Sequence, residues 1–209
     1  AEGTLNEGIF IDARKSFIEN KDKYIYYKTD HHWTSEGAYI AYKDFCISNG
    51  ITPLSFEEFN FEVISKDFLG SLHSKNLDMD AEADSILIAN NVSVQSVYAN
   101  DKKIDMYAKD KLSGKDKYLV FFGDNYAKTV IETDCKNGKV LLVIKDSYAN
   151  SFVPLLTHHY EKIIMIDQRY YKEKRFSPLV EEYGVTDTLF MYGVANLSIQ
   201  EHLASACKN

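Results

Sequence analysis

The sequence predicts an α/β domain with a central parallel sheet. Three runs of residues are apolar on both faces, as strands covered by helices on both sides must be, namely Val140 to Ile144, Lys162 to Ile166 and Thr188 to Tyr192. Helical stretches separate and follow these runs, at Tyr148 to His159, Pro178 to Tyr183 and Ile199 to Ala206. The resulting βαβαβα order is typical of a parallel sheet with helices on both faces.

Composition and charge limit the classes of protein to which the chain can belong. A hydrophobic share of 45% with 26% charged residues excludes a wholly disordered chain, and 209 residues fit one domain. Lysine and arginine total 24 against 31 acidic residues, and the net charge of −7 disfavours nucleic acid as a partner. No apolar stretch approaches the roughly 20 residues that span a bilayer. We therefore expect a single domain over residues 1–209 without a transmembrane helix.

The cysteines and the first residues give two further expectations. The 3 cysteines are far apart in the sequence and predict neither a disulfide framework nor a zinc site. The chain starts with Ala-Glu-Gly-Thr, without an initiator methionine or a signal-like segment. This start predicts that an N-terminal part of the full-length protein is absent.

The N-terminal elements follow from local pattern. Gly8 to Asp12 is predicted to be a short buried strand, the following stretch through Glu19 a helix, and Tyr24 to Tyr27 an aromatic strand. Thr34 or Ser35 can cap a second helix. The apolar face of this helix consists of residues spaced three and four apart, which are Ala38, Ala41, Tyr42 and Phe45, and Asn49-Gly50 ends it.

The middle of the chain, residues 51–116, has a different pattern. Short alternating runs are separated by turn-forming residues, and these runs are Ser85 to Ala89, Val92 to Tyr98 and Lys103 to Tyr107. This region is predicted to be a small β-rich insertion on the α/β scaffold.

Polar residues follow each of the three apolar strands. Ligand sites in such sheets lie beyond the carboxyl ends of the strands, where the sequence places Lys145-Asp146-Ser147, Asp167 to Tyr170 and Gly193 to Asn196. Ser147 stands where a strand turns into a helix, so its hydroxyl can be a nucleophile next to backbone N–H groups that stabilise an oxyanion. Serine is also a common helix N-cap, and position alone leaves both roles open.

Asp30-His31-His32 supplies what a nucleophilic serine needs. A serine hydroxyl requires an imidazole base, and that imidazole requires a carboxylate to fix its tautomer and stabilise its positive charge. The Asp-x-His spacing of Asp30 and His32 can provide both. The alternatives are a surface turn and, with less support, a divalent metal site.

Three segments together give a resemblance to a known family. They run from Tyr26 to Tyr39 through Asp30-His31-His32-Trp33, from Lys145 to Pro154, and from Asp167 to Tyr171. These segments resemble the bacterial DHHW protein family, which is related to SGNH hydrolases and similar to the alginate O-acetylation proteins. The resemblance covers nearly the whole chain and is weakest in the insertion.

The resemblance implies a fold and a set of roles. The fold is a three-layer α/β/α SGNH-like sheet, with the blocks in circularly permuted order because the Asp-His block precedes the serine block. Asp30, His32 and Ser147 take the roles of an acyl-transfer triad. The backbone N–H of Ser147 and the side chain of Asn196 are the implied oxyanion donors, although the spacing here is Gly-x-x-Asn where relatives have Gly-x-Asn.

Five further residues are candidates for substrate contact. Trp33 can be a wall for a sugar or an acyl group, or a hydrophobic anchor for its loop. Arg169 can clamp an anionic substrate, although pairing with Asp167 is the favoured alternative. Asn125 lies in Gly123-Asp124-Asn125, for which a turn is favoured over a substrate contact. Tyr148 and Tyr170 follow the first and second strands, where aromatic rings can stack on a sugar.

These inferences lead to one function and two rivals. The favoured function is serine-dependent acyl transfer, either O-acetylation or acetyl-ester hydrolysis, on an extracytoplasmic polysaccharide or cell-wall glycan. It needs no cofactor or metal. Its expected partner is the polysaccharide or acyl-sugar substrate, and the resemblance adds a membrane acyl-transfer protein as a candidate partner. The rivals are a non-catalytic glycan-binding module and, least favoured, a metal-dependent phosphoesterase. The family resemblance implies an extracytoplasmic location, secreted or anchored through a region outside this chain.

Overall fold

The computed structural model of the protein describes residues 8–76, 79–173 and 175–197. Within these residues, six strands form one sheet in the order β4-β3-β5-β7-β6-β8, and β1 and β2 form a separate antiparallel pair. The strands are β1 Phe61–Phe68, β2 Asp84–Ala89, β3 Ser96–Ala99, β4 Lys102–Ile104, β5 Lys128–Glu132, β6 Val140–Lys145, β7 Lys162–Asp167 and β8 Asp187–Met191. The α-helices are α1 Arg14–Glu19, α2 Ser35–Ser48, α3 Ser71–Asn76, α4 Ala149–Phe152, α5 Ser177–Tyr183 and α6 Val194–Leu197.

The three predicted parallel strands are present. β6 pairs in parallel with β7 on one side and with β8 on the other. Side chains on the two faces of β6 and β7 enter different apolar clusters. Leu141 and Val143 join the large core that includes α2, whereas Leu142 and Ile144 pack with Leu179 of α5. Helices therefore lie against both faces of the central strands, as continuous apolar runs require.

The sheet as a whole is mixed, whereas the sequence predicted a parallel sheet from the three central strands alone. β5 runs antiparallel to β7, and β3 runs antiparallel to both β5 and β4. The turn between β3 and β4 consists of Asn100 and Asp101, which both have positive φ values, 44° and 65°. Two such residues form the tight turn that joins antiparallel strands. Through this hairpin, part of region 51–116 extends the main sheet. Its status as an insertion in a single domain remains a prediction, as do the three-layer SGNH arrangement and the permuted block order.

The N-terminal strands are corrected by the structure. Gly8 to Asp12 is not a strand, and Phe10 is 86% exposed, so this segment has no sheet to bury its apolar side chains. Tyr24 to Tyr27 forms a single bridge, between Tyr26 and Trp33, instead of a strand. The helix predicted after it is present as α2, and Thr34 caps it by accepting the Gly37 N–H at 3.2 Å. The helix predicted for Ile199 to Ala206 lies outside the described residues.

The carboxyl ends of β6, β7 and β8 meet at one edge. Lys145 is opposite Asp167 on one side and Met191 on the other, so the polar residues that follow these strands are neighbours in space. The stretch predicted as one helix after β6 is α4 followed by a 3₁₀ helix, Val153–His158. Among the described residues, no helix combines the length and apolar character needed to cross a bilayer.

Candidate active site

Ser147 lies two residues beyond the end of β6, just before α4. Its side chain does not cap the helix, because α4 has Tyr148 at the N-cap position and no side-chain cap. The hydroxyl instead contacts His32, and the residue is 8% exposed. No acceptor for the Ser147 backbone N–H is found in the described part of the chain.

Asp30, His32 and Ser147 form a continuous chain of hydrogen bonds. His32 Nδ1 lies 2.5 Å from an oxygen of Asp30, and His32 Nε2 lies 2.8 Å from Ser147 Oγ. All three residues are buried. The His32–Ser147 distance falls within the range expected for a base and its nucleophile, about 2.6 to 3.2 Å. The arrangement can remove a proton from the hydroxyl and hold it on the imidazole.

The Asp30 carboxylate accepts hydrogen bonds from two backbone N–H groups in addition to its contact with the His32 ring. Its Oδ1 accepts the His32 backbone N–H at 3.0 Å, and its Oδ2 accepts the Ser71 N–H at 2.8 Å. Burial by itself would raise the pKa of Asp30, but the hydrogen bonds from the His32 side chain and from these backbone groups hold that pKa well below its usual range. The carboxylate therefore stays ionised at neutral pH and can stabilise a positive charge on His32.

Gly70 lets the chain approach Asp30 closely. A Cβ at Gly70 would lie 2.6 Å from Oδ2 and 2.8 Å from Cγ of Asp30, closer than side-chain contacts allow. The loop on the other side is fixed by Asp84, whose carboxylate accepts the backbone N–H groups of Lys28 and Thr29 at 2.9 and 2.8 Å. The first residue of strand β2 thus holds the backbone just before the Asp-His segment in place.

Two aromatic residues hold the His32 side and the serine side together. The Tyr118 ring stacks on the His32 imidazole with centroids 3.9 Å apart, and the Tyr118 hydroxyl donates to the Ser147 carbonyl at 3.2 Å. The Trp33 indole N–H donates to the Tyr148 carbonyl at 3.1 Å and to Ser151 Oγ at 3.0 Å. Trp33 is buried, and these contacts are those of the loop anchor.

Asp146 links the serine loop to the segment after β8. Its carboxylate accepts the Tyr148 N–H at 2.9 Å, the Gly193 N–H at 2.8 Å and the Asn196 side-chain amide at 2.8 Å. Asn196, the expected oxyanion donor, therefore donates one amide hydrogen to Asp146. Its second amide hydrogen is the one that could serve a ligand.

A buried ion network lies under the same edge. Lys145 is 3% exposed, and its ammonium donates to Asn150 at 2.8 Å and to Asn125 at 3.4 Å, and lies 3.6 Å from Asp167. Burial lowers the pKa of Lys145 to about 8, although the Asp167 carboxylate opposes that change. The Arg169 guanidinium donates two hydrogen bonds to the Asp167 carboxylate, from Nε to Oδ1 at 2.9 Å and from Nη2 to Oδ2 at 2.6 Å. The structure thus contains the favoured pairing alternative for Arg169.

The other predicted substrate residues differ in their surroundings. The Tyr148 ring lies against the backbone of Gly193, where a Cβ would be 2.7 Å from Tyr148 Cε2, and its hydroxyl donates to the His31 carbonyl. Tyr170 is half exposed and lies beside the Arg169 guanidinium. Asn125 is partly exposed, and its side-chain oxygen accepts from Asn150 at 3.2 Å.

His31 lies on the open side of His32. The two ring centroids are 3.9 Å apart, and His31 Nδ1 lies 2.6 Å from Ser71 Oγ. In the part of the chain that the structure describes, Asp30, His31 and His32 are the one group with ligand atoms close enough to share a metal ion. A metal there would compete for the His32 nitrogen atoms that face Asp30 and Ser147.

Several residues that shape this site were missed from the sequence. Ser71 could have been noticed as a serine at a helix start, and Asp84 as a carboxylate directly before a predicted strand. No local pattern marks Tyr118 or Gly70, because their roles depend on which segments fold next to them.

Comparisons with known proteins identify the family and a similar fold. The DHHW protein family model matches residues 12–166. A DHHW family protein from Eubacterium siraeum has a similar structure, with 28% identity, a TM-score of 0.78, and coverage of 90% of this chain and 65% of the other. This chain therefore spans about two thirds of that protein's length.

A second similar structure is Bacillus cereus PatB1 with a sulfonyl adduct, at 24% identity and a TM-score of 0.74, covering 90% of this chain and 67% of the other. At this identity the likeness concerns the fold. No match was found among curated proteins. The match over most of the sequence, with Asp30-His31-His32-Trp33 at the centre of the site, shows that the chain belongs to the DHHW protein family.

Proposed function

We propose that this chain transfers acyl groups through Ser147, acting as an O-acetyltransferase or an acetylesterase on an extracytoplasmic polysaccharide or cell-wall glycan. The observation that supports this function is the hydrogen-bonded chain from Asp30 through His32 to Ser147, with distances of 2.5 and 2.8 Å. We further propose a three-layer SGNH-like domain with permuted blocks, in which residues 51–116 are a β-rich insertion. A membrane acyl-transfer partner belongs to the same proposal.

The reaction starts at the serine hydroxyl. Ser147 Oγ attacks the carbonyl carbon of the acyl donor while His32 Nε2 takes the hydroxyl proton, and Asp30 stabilises the resulting imidazolium. The Ser147 N–H and the second amide hydrogen of Asn196 donate to the oxyanion. His32 then returns the proton to the leaving group, which leaves an acyl-serine. A second hydroxyl, from water or from a sugar, attacks that ester by the same proton path.

The rival functions lack this kind of support. A glycan-binding module without turnover does not need a base aligned on a serine. A metal-dependent phosphoesterase needs ligand atoms free for the metal, whereas both ring nitrogen atoms of His32 lie within hydrogen-bond distance of protein oxygen atoms.

Ester turnover by serine variants tests the proposal. Folded Ser147→Ala and Ser147→Asp should lose hydrolysis of a chromogenic acetyl ester, and a sulfonyl fluoride should label the wild type at Ser147. Ser113→Ala is the matched control, because Ser113 is exposed and, among the residues that the structure describes, its hydroxyl donates to the Asp110 carbonyl alone. Wild-type turnover in Ser147→Ala would refute the mechanism. Turnover that a chelator abolishes supports the phosphoesterase, and glycan affinity without turnover supports the binding module.

A further inference from the structure

His31 is exposed, lies next to the triad and has no role in it. Its side chain is 45% exposed, whereas the His32 side chain beside it is 6% exposed. The His31 ring also lies edge-on to the Tyr148 ring, with centroids 6.1 Å apart. A solvent-exposed imidazole thus lies directly beside the buried base.

The contacts of His31 determine which ring atom is available. Nδ1 lies 2.6 Å from Ser71 Oγ and 3.7 Å from Asp30 Oδ2. The nearby Asp30 carboxylate is negatively charged and therefore favours an N–H over a lone pair at His31 Nδ1. The ring proton is thus assigned to Nδ1, which donates to Ser71 Oγ. Nε2 then carries a lone pair, and no partner for it is found among the residues that the structure describes. Burial and the neighbouring His32 lower the pKa of His31, which favours this neutral form.

We propose that His31 Nε2 accepts a hydrogen bond from a second hydroxyl of the acyl acceptor, next to the hydroxyl that is acylated, and so selects acceptors with two adjacent hydroxyls. This inference rests on the proposed function of the site. The first hydroxyl oxygen bonds to the acyl carbon, its proton passes to His32 Nε2, and Ser147 Oγ leaves with that proton. The second hydroxyl is not changed.

The consequence is discrimination between water and a sugar. Water can occupy the attacking position only, because it has one oxygen, whereas a vicinal diol can bind His32 and His31 together. The ring separation of 3.9 Å keeps the two imidazoles close enough to serve hydroxyls on neighbouring carbons. The triad alone supplies no such preference, since it contacts only the attacking hydroxyl.

The test compares two acceptors that differ by one hydroxyl. With p-nitrophenyl acetate as donor, the ratio of acetyl transfer to hydrolysis is measured with cis-1,2-cyclohexanediol and with cyclohexanol. The wild type should favour the diol, and His31→Ala should reduce that preference by roughly two- to ten-fold, as expected for one hydrogen bond. His31→Gln, which keeps an acceptor oxygen, should recover part of it. His73→Ala on α3 is the matched control and should behave as the wild type.

The outcomes separate this inference from the function on which it rests. Acid quenching followed by mass spectrometry shows whether acetyl is bound to Ser147. If acetyl-Ser147 forms and His31→Ala keeps the wild-type diol preference, the role of His31 is refuted and the proposed function survives. An equal loss of hydrolysis and transfer in His31→Ala would place its effect on His32 or on the loop and would also refute acceptor selection. Wild-type turnover of the ester by folded Ser147→Ala overturns both proposals.

Discussion

Gly70→Ala would move the triad carboxylate without removing any polar group. The added Cβ would be closest to Asp30 Cβ and would lie 2.8 Å from Asp30 Cγ, whereas carbon atoms are in normal contact at about 3.5 to 4.0 Å, so Asp30 must retreat by at least roughly 0.7 to 1.2 Å. That movement stretches the bonds from Asp30 to His32 and to the Ser71 N–H, which are now 2.5 and 2.8 Å.

The magnitude follows from this displacement. A misplacement of about 1 Å in a catalytic group costs on the order of 100-fold in rate, which is about 2.7 kcal/mol of transition-state stabilisation. Overpacking costs a further ~1 to 3 kcal/mol of folding stability, less than the ~5 to 15 kcal/mol that a domain usually has. The variant should therefore remain folded and lose most of its ester turnover.

The assay is kcat/KM for an acetyl ester together with thermal unfolding by circular dichroism. Gly8→Ala is the control, because a Cβ there meets no atom within 4 Å. Turnover by folded Gly70→Ala within a few-fold of the wild type would contradict the reasoning, since it would mean that the position of Asp30 does not matter.

Three further changes probe the surroundings of the site. Tyr27→Phe should leave the free energy of unfolding in urea unchanged or raise it by up to about 1 to 3 kcal/mol, because the buried Tyr27 hydroxyl has no partner among the described residues; a clear loss would reveal a missing partner. The pKa of Asp30 is lowered by folding, so its contribution to stability is complete above the unfolded pKa of about 3.9 and is lost as the pH falls through the folded pKa. The stability difference between the wild type and Asp30→Asn in urea should accordingly be larger at pH 7 than at pH 3, and a constant difference would refute the cause assigned to the shift. Lys145→Met should cost at most about 3 to 5 kcal/mol in the same assay, because Arg169 still pairs with Asp167; an increase in stability would mean that burial of the ammonium outweighs its contacts.

The sequence predicted the parts of the fold that depend on local pattern. Val140 to Ile144 and Lys162 to Ile166 are parallel strands because their apolar side chains suit a sheet covered on both faces. α2 begins and ends where its cap and its Asn-Gly stop predicted. Gly8 to Asp12 has the same apolar character as a strand, but no neighbouring strand pairs with it in the described structure, and pairing is not a local property.

The candidate site was predictable to the same extent. The Asp-x-His spacing and the serine after a strand identified Asp30, His32 and Ser147 as candidates, and the fold brings them together. The sequence did not predict that Asp146 would engage Asn196, or that Tyr118 would stack on His32, because both contacts join segments far apart in the chain. Local pattern identifies the chemical groups of a site better than the residues that support them.

The separation of His32 and Ser147 by 115 positions has a consequence for biosynthesis. A chain that is synthesised from its N-terminus exposes the base and its carboxylate long before the nucleophile has left the ribosome. Contacts between residues so far apart form late in folding, after the loop between them has closed. Because β6 pairs with β7 and β8 and the proposed oxyanion donor Asn196 lies in α6, the proposed acyl chemistry begins only when the polypeptide has been completed through α6 and folded. Ester turnover can therefore serve as a direct readout of finished folding.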